Sequence, residues 1–391
     1  ATARLDRLQQ QGLLPVDGAE YAALLARVGE LAAVAQQAGA QQAGAQQAGG
    51  LEAAAAIADA AAPVGASPLT AQAAATYDCG GGIYSKGAGI VLRNLEIYNS
   101  YGHHVAVNQY DAAAITTGYG GGACIVDAPD HSVVLDDVTF GANTASESSV
   151  GYGGGMLLQN TVGAVLTKVD FEQNYALKSK THAPREFGLG GGLALINAPE
   201  TRINSDHDLN LFINNVASTG MFGLGGGLYI AGSEQVSIEG GLFSNNIACG
   251  GQIGSVGMGG AVRSLQSNML EMTNLEFSGN VASVSGPGTG GALSVFTGQD
   301  LGIADSKFQR NVGSQGPGQG VSGAIDLDNI TTAHLLNNKL LANVAAAYPD
   351  VMGLGGAVGI WNSSNVAATG NEFAQNVGAA AGEGHGGAII I

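Results

Sequence analysis

The stretch MGGAVRSLQSNMLEMTNLEFSGNVA, residues 258–282, places two adjacent glycines upstream of a phenylalanine that stands three positions before an asparagine. The same arrangement recurs down most of the chain, and recurrence at a near-fixed period outranks any segment-by-segment reading. The last glycine of each cluster falls at Gly82, Gly122, Gly155, Gly192, Gly227, Gly260, Gly291, Gly323, Gly356 and Gly387, at intervals of 31 to 40 residues. Between them sit FGAN, FEQN, FINN, FSNN, FSGN, FQRN and FAQN, which pair Phe140 with Asn143, Phe171 with Asn174, Phe212 with Asn215, Phe243 with Asn246, Phe277 with Asn280, Phe308 with Asn311 and Phe373 with Asn376. LLAN, with Leu340 and Asn343, and IYNS at Ile97 are degenerate copies. The count is nine coils and the start of a tenth.

A unit of this length could be a pair of helices, but helical repeats need long runs free of glycine. Here the unit is rich in Gly, Asn, Ser and Thr, and its apolar residues come in short alternating pieces such as GGLYIAG and VSIEGGLF. Short strands fit, three to a coil, each coil stacked in parallel on the next. Each inward Phe then lies about 4.8 Å from its equivalent one coil along, in a dry interior. Each Asn pairs its amide with turn backbone and with the neighbouring Asn, meeting polar groups that a narrow interior would strand. The glycine pair supplies positive φ or a close passage of backbone past backbone. A small residue follows after Asn and Val or Ile, as in Val216-Ala217 and Val281-Ala282.

Composition narrows the function. The chain has 391 residues, 64 of them Gly, and only 12% are charged, with 14 Lys and Arg against 31 Asp and Glu for a formal net charge of −17. Nucleic-acid binding needs clustered positive charge and is disfavoured. No segment is long and apolar enough to cross a bilayer as a helix. Cys79, Cys124 and Cys249 form no CxxC or metal spacing; they read as packing residues or free thiols, with a Cys79–Cys124 bridge left open.

Residues 1–76 lack the repeat, which occupies 77–391. Ala19–Gln37 reads as an amphipathic helix with Leu24, Val28 and Leu31 on one face, followed by AQQAG three times over. This Ala/Gln-rich, partly helical region is read two ways, as a cap over the first coil or as a segment whose helix docks on a neighbouring subunit. The chain opens at Ala1 rather than Met, which fits signal-peptide removal, so an extracellular or cell-surface location is expected. The connection after Asn174 carries Lys178, Lys180, His182 and Arg185, a basic loop read either as a tolerated insertion or as a contact for an acidic neighbour or an anionic ligand. On the outward column just before the Phe position, Glu276 neighbours Lys307 and Lys339 neighbours Glu372, while Leu211 and Leu242 lie side by side, read either as a small contact patch or as nothing of consequence.

Repeated GGA followed by Ile, Leu or Val (259–262, 290–293, 355–358 and 386–389), together with the FxxN set, resembles the polymorphic outer-membrane protein family of chlamydiae. The resemblance covers about four-fifths of the chain, Cys79 to the end. It implies a right-handed parallel β-helix of the autotransporter-passenger kind, used in adhesion to host or neighbouring cell-surface molecules; the repeat count makes it about nine to ten coils long.

Chemistry-bearing residues are sparse. Asp137 of the Asp136–Asp137 pair falls at a turn position that other coils fill with Asn94, Asn274, Asp305 and Asn337. His103 and His104, adjacent in a strand, face opposite ways. Asp326 and Asp328 are two outward carboxylates in one strand, a weak hint of Ca2+, and no other cofactor is implied. Gly384–Gly386 reads GHG but leads into an ordinary glycine pair. The final strand, Ile389, Ile390 and Ile391, is apolar and without a blunting charge or proline. The expectation is a secreted, non-enzymatic β-helix that joins other copies of itself head to tail in a filament or surface layer. A monomeric adhesin is the alternative, and a polysaccharide-acting enzyme or tailspike the second.

Overall fold

The computed structural model describes residues 78–103, 117–180, 186–205 and 209–391. The expected helix with Leu24, Val28 and Leu31 lies outside them, as do His104, His182 and Arg185. The described chain is an all-β parallel solenoid, without helix. Its strands fall into four sheets of ten, ten, thirteen and nine strands, each running through successive coils. A coil therefore has four faces, where three strands were expected. The unexpected one, here face 1, is built from strands of two or three residues such as Phe222–Leu224 and Gly288–Thr289. Glycine, central in the three-residue strands such as Phe222–Leu224 and first in two-residue ones such as Gly288–Thr289, hides them, because glycine is depleted in ordinary strands. Face 2 follows the glycines (Leu228–Ala231, Val262–Leu265), face 3 carries the Phe (Ser237–Ser244, Glu271–Ser278), and face 4 follows the Asn (Ile247–Cys249, Val281–Ser283).

Faces 2 and 3 enclose the core. Phe140, Phe171, Phe212, Phe243, Phe277 and Phe308 are in mutual register and fully buried. Their rings stack with centroids 4.4 to 5.1 Å apart. Leu340 and the half-buried Phe373 continue the column. The residue before each ladder Asn has φ between 53° and 65°, whatever its identity: Ala142, Gln173, Asn245, Arg310 and Gln375 all adopt it. This left-handed residue turns the chain from face 3 to face 4 and aims the Asn inward. Asn280 is representative. Its Oδ1 accepts from the backbone N (3.0 Å) and Nδ2 (3.0 Å) of Asn246, while its Nδ2 donates to Asn311 Oδ1 (2.9 Å) and to the Phe243 carbonyl (2.9 Å). Equivalent bonds link Asn143, Asn174, Asn215, Asn246, Asn311, Asn343 and Asn376. The side-chain amide is saturated, so its burial carries no unmet polar group.

The pairing also separates the glycines into three columns. Gly80, Gly120, Gly153, Gly190, Gly225, Gly259, Gly290, Ser322, Gly355 and Gly386 hold φ between 53° and 71°. In the next column, which includes Gly226, Gly260 and Gly291, a Cβ would run into the carbonyl of the equivalent glycine one coil along and into the backbone of face 4. The third column reads Gly82 through Gly227 and then Ala261, Ala292, Ala324 and Ala357. Marking copies by their last glycine thus mixes two columns: Gly260 is the equivalent of Gly226, not of Gly227. Faces 1 and 4 lie back to back with little between them, because a Cβ on face-1 Gly223, Gly257 or Gly320 would overlap the carbonyl of face-4 Ala248, Ala282 or Ala345. That contact explains the small residue after Asn and Val.

A second interior polar column accompanies interruption of face 3. Where the residue two before the Phe position is apolar or glycine, as at Val138, Val169, Gly241 and Leu275, the strand is continuous. Where it is Asn210, Ser306, Asn338 or Asn371, the strand is split. The polar side chain accepts from backbone of the preceding coil, as Asn338 Oδ1 does from Ser306 N (3.0 Å), and Asn338 Nδ2 donates to the Ile303 carbonyl (2.8 Å).

The columns make opposite predictions for adjacent glycines. At Gly227 a Cβ would meet its nearest neighbour, the Ala261 carbonyl oxygen, at 3.1 Å. In equilibrium urea unfolding, Gly227→Ala should change stability by less than about 1 kcal/mol. Gly226→Ala should cost about 3 kcal/mol or more, since backbone rather than a side chain must move.

Candidate functional site

Outside the coil, the angle between faces 1 and 2 forms a trough. Its floor on face 2 is one register column: Cys124, Leu157, Ala194, Tyr229, Arg263, Ser294, Asp326 and Gly359. The wall on face 1 carries Leu224, Met258, Thr289, Val321 and Leu354. In the earlier coils the trough is a second apolar cluster, with Leu157, Leu189, Tyr229 and Leu224 buried and Phe187 stacked on Phe222 at 4.9 Å. From Arg263 onward the floor turns polar.

There the side chains form one hydrogen-bonded line across successive coils. Arg263, 3% exposed, donates from a guanidinium nitrogen to Ser294 Oγ (2.5 Å), and Ser294 Oγ donates to Asp326 Oδ2 (3.3 Å). Asp326 Oδ1 accepts from Ser322 Oγ (3.0 Å) and from the indole Nε1 of Trp361 (3.0 Å). Gly359, adjacent to Asp326 in register, leaves room for the indole to fold back. The Arg263 guanidinium also lies 5.6 Å from the Phe296 ring centroid. Burial raises the Asp326 carboxyl to about 6, opposed by the bonds from Ser322 and Trp361 and by the charge of Arg263. Two residues on in the same strand, Asp328 accepts from Asn362 Nδ2 (3.1 Å). Asp326 is thus engaged by protein donors on both oxygens, and no group of three or more His, Cys, Asp or Glu is placed to hold a metal among the described residues.

The residues singled out in the sequence lie elsewhere. Lys178 sits 4.9 Å from the Tyr175 ring centroid, and Lys180 Nζ is 2.7 Å from the buried Glu147, so both basic side chains make contacts within the chain. Leu211 is buried at 1% and Leu242 half-buried; strand alternation sets direction, not exposure, and Leu211 offers no free surface. Glu276 and Lys307 form the expected pair at 3.4 Å, partly exposed on both sides. Asp137 has φ 58°, and Asp136 lies 3.8 Å from Arg93. His103 ends a face-4 strand, and His385 lies 3.0 Å from Glu383. The Ile389–Ile390 strand pairs with Val358–Gly359, and Ile391 is exposed. Cys79 and Cys124 are joined in a disulfide with Cα atoms 5.6 Å apart, replacing the free-thiol reading for these two. Cys249 is free and buried, its thiol pushed up to about 11 chiefly by that burial.

Of the line from Arg263 to Trp361 the sequence marks only Asp326, with Asp328 two residues on in the same strand. Arg263, Ser294, Asp326 and Trp361 each stand more than thirty residues from the next and are of different types, so only the coil register brings them together. No protein-family model, curated protein or solved structure matches the chain.

Asp326 sets a sign for pH dependence. Its folded carboxyl binds a proton more tightly than in the unfolded chain, so its contribution to stability is fully present below about pH 4. That contribution is lost as pH rises through about 6. Asp326→Asn should abolish it: thermal midpoints of wild type relative to the variant are expected to fall between pH 4 and pH 6 and then level off.

Proposed function

We propose that the chain is a secreted structural β-solenoid that associates head to tail, coil face against coil face, into a filament or layer outside the cell. The supporting observation is the translational equivalence of the coils. Each is bound to the next by the same Phe column, Asn column and backbone pairing, so a coil face is complementary to another coil face of the same chain, whichever molecule carries it. The Cys79–Cys124 bridge fits an oxidising compartment, and the likeness to polymorphic outer-membrane repeats fits a surface role. Adhesion to a host or neighbouring cell surface is the second reading, favoured by the trough, whose side chains are held at fixed spacing along the solenoid.

Self-association is tested by sedimentation velocity and negative-stain imaging of purified protein across a hundredfold range of concentration. Oligomers lengthening along the coil axis as concentration rises are expected. A single monomeric species throughout would contradict the proposal.

A further inference from the structure

We propose that the polar part of the trough is a binding site for a neutral glycan chain lying along the coil axis. The inference stands independently of self-association. A surface pocket of about 320 Å³ opens there, bounded on one side by Met258, Val321 and Leu354 and on the other by Phe296, Asp328 and Trp361. Its dimensions suit a small ligand or a short segment of a chain.

Three features select the chemistry. The first is an unmet polar atom: Thr289, 9% exposed, lines the pocket, and its buried Oγ1 has no hydrogen-bond partner among the described residues. A buried hydroxyl without a partner costs stability; a turn of the Thr289 side chain about χ1 would bring its covered oxygen to the pocket, where a ligand hydroxyl supplies both a donor and an acceptor to meet it. The second is the mixture of surfaces. Phe296 and Trp361 occupy one register column with Asp328 between them, two coil steps or about 10 Å apart, close to the length of a disaccharide. Aromatic faces beside hydroxyl, amide and carboxylate groups match a ligand with apolar C–H faces and hydroxyl edges; Gln319 and Asn362 supply the amides. The third is charge. Asp326 and Asp328 face a single cation, Arg263, in a chain of formal net charge −17, so an acidic sugar or phosphate would meet net repulsion. The line Arg263–Ser294–Asp326–Trp361 fixes the floor, so the site is organised before the ligand arrives.

Trp361 is the chain's single tryptophan, so its fluorescence reports the pocket. The full chain is titrated with cellohexaose, maltohexaose and N-acetylchitohexaose, and with hexagalacturonate as the acidic comparison, alongside calorimetry. At least one neutral hexasaccharide should shift Trp361 emission saturably with Kd below about 1 mM. Thr289→Val, which removes an unpartnered hydroxyl and so should leave the thermal midpoint unchanged or raised, is expected to weaken binding about 5- to 10-fold. Asp328→Ala, at a half-exposed position, should do the same. The proposal is overturned if no neutral hexasaccharide perturbs Trp361 or gives heat up to about 10 mM, if both folded variants bind as wild type, or if hexagalacturonate binds more tightly.

Discussion

A buried carboxamide has two protons to donate and two lone pairs to fill, and in a dry interior all four demands must be met. The FxxN asparagine meets them only if an identical asparagine lies directly above and another directly below. That requirement propagates outward. It fixes the coils in register, which stacks the phenylalanines at 4.4 to 5.1 Å, and it needs a left-handed residue just before the Asn to aim it inward. Faces 1 and 4 then approach until only glycine and alanine fit between them. Coil length is free to vary so long as these columns are kept, and the excursions fall between the ladders.

Once the interior is periodic, the exterior becomes columnar too, and individuality moves to residues that break the column. Face 2 shows this most clearly. Its outward position is Leu157, Ala194 and Tyr229 in consecutive coils, then Arg263, Ser294 and Asp326. A buried arginine and a buried aspartate two coils apart, bridged by a serine, have no part in holding one coil to the next that the apolar residues of earlier coils do not already fill. Replacing such groups by apolar ones is often neutral or stabilising, so holding the coils together does not by itself account for them.

The parts of the fold that were legible in the sequence are those in which one residue type is demanded at one position in every coil. Phe243, Phe277 and Phe308 announce themselves, as do Asn246, Asn280 and Asn311. Face 1 was not legible, because strands such as Gly288–Thr289 are too short and too glycine-rich to look like strands. The alignment of the glycine clusters slipped by one residue where GGG gives way to GGA, since only backbone geometry separates the left-handed column from the one that cannot carry a Cβ. The second polar column is hidden in the sequence because Asn338 and Asn371 share their position with Val138 and Leu275: the apolar residue sits in a continuous strand, and the asparagine bonds the backbone directly. The trough was least legible of all: Arg263, Ser294, Asp326 and Trp361 share no motif, and their proximity exists only after the coils have stacked.

The central claim is that the ladder amides are completely hydrogen-bonded in a water-free interior, and side-chain amide hydrogen exchange in asparagine-labelled protein measures this directly. The Nδ2 protons of Asn246, Asn280 and Asn311 should exchange as slowly as the most protected backbone amides of the solenoid, while those of the exposed Asn99 exchange freely. Ladder protons that exchange as fast as those of Asn99 would mean that water reaches the column, and the account of why these coils stack in register would be wrong.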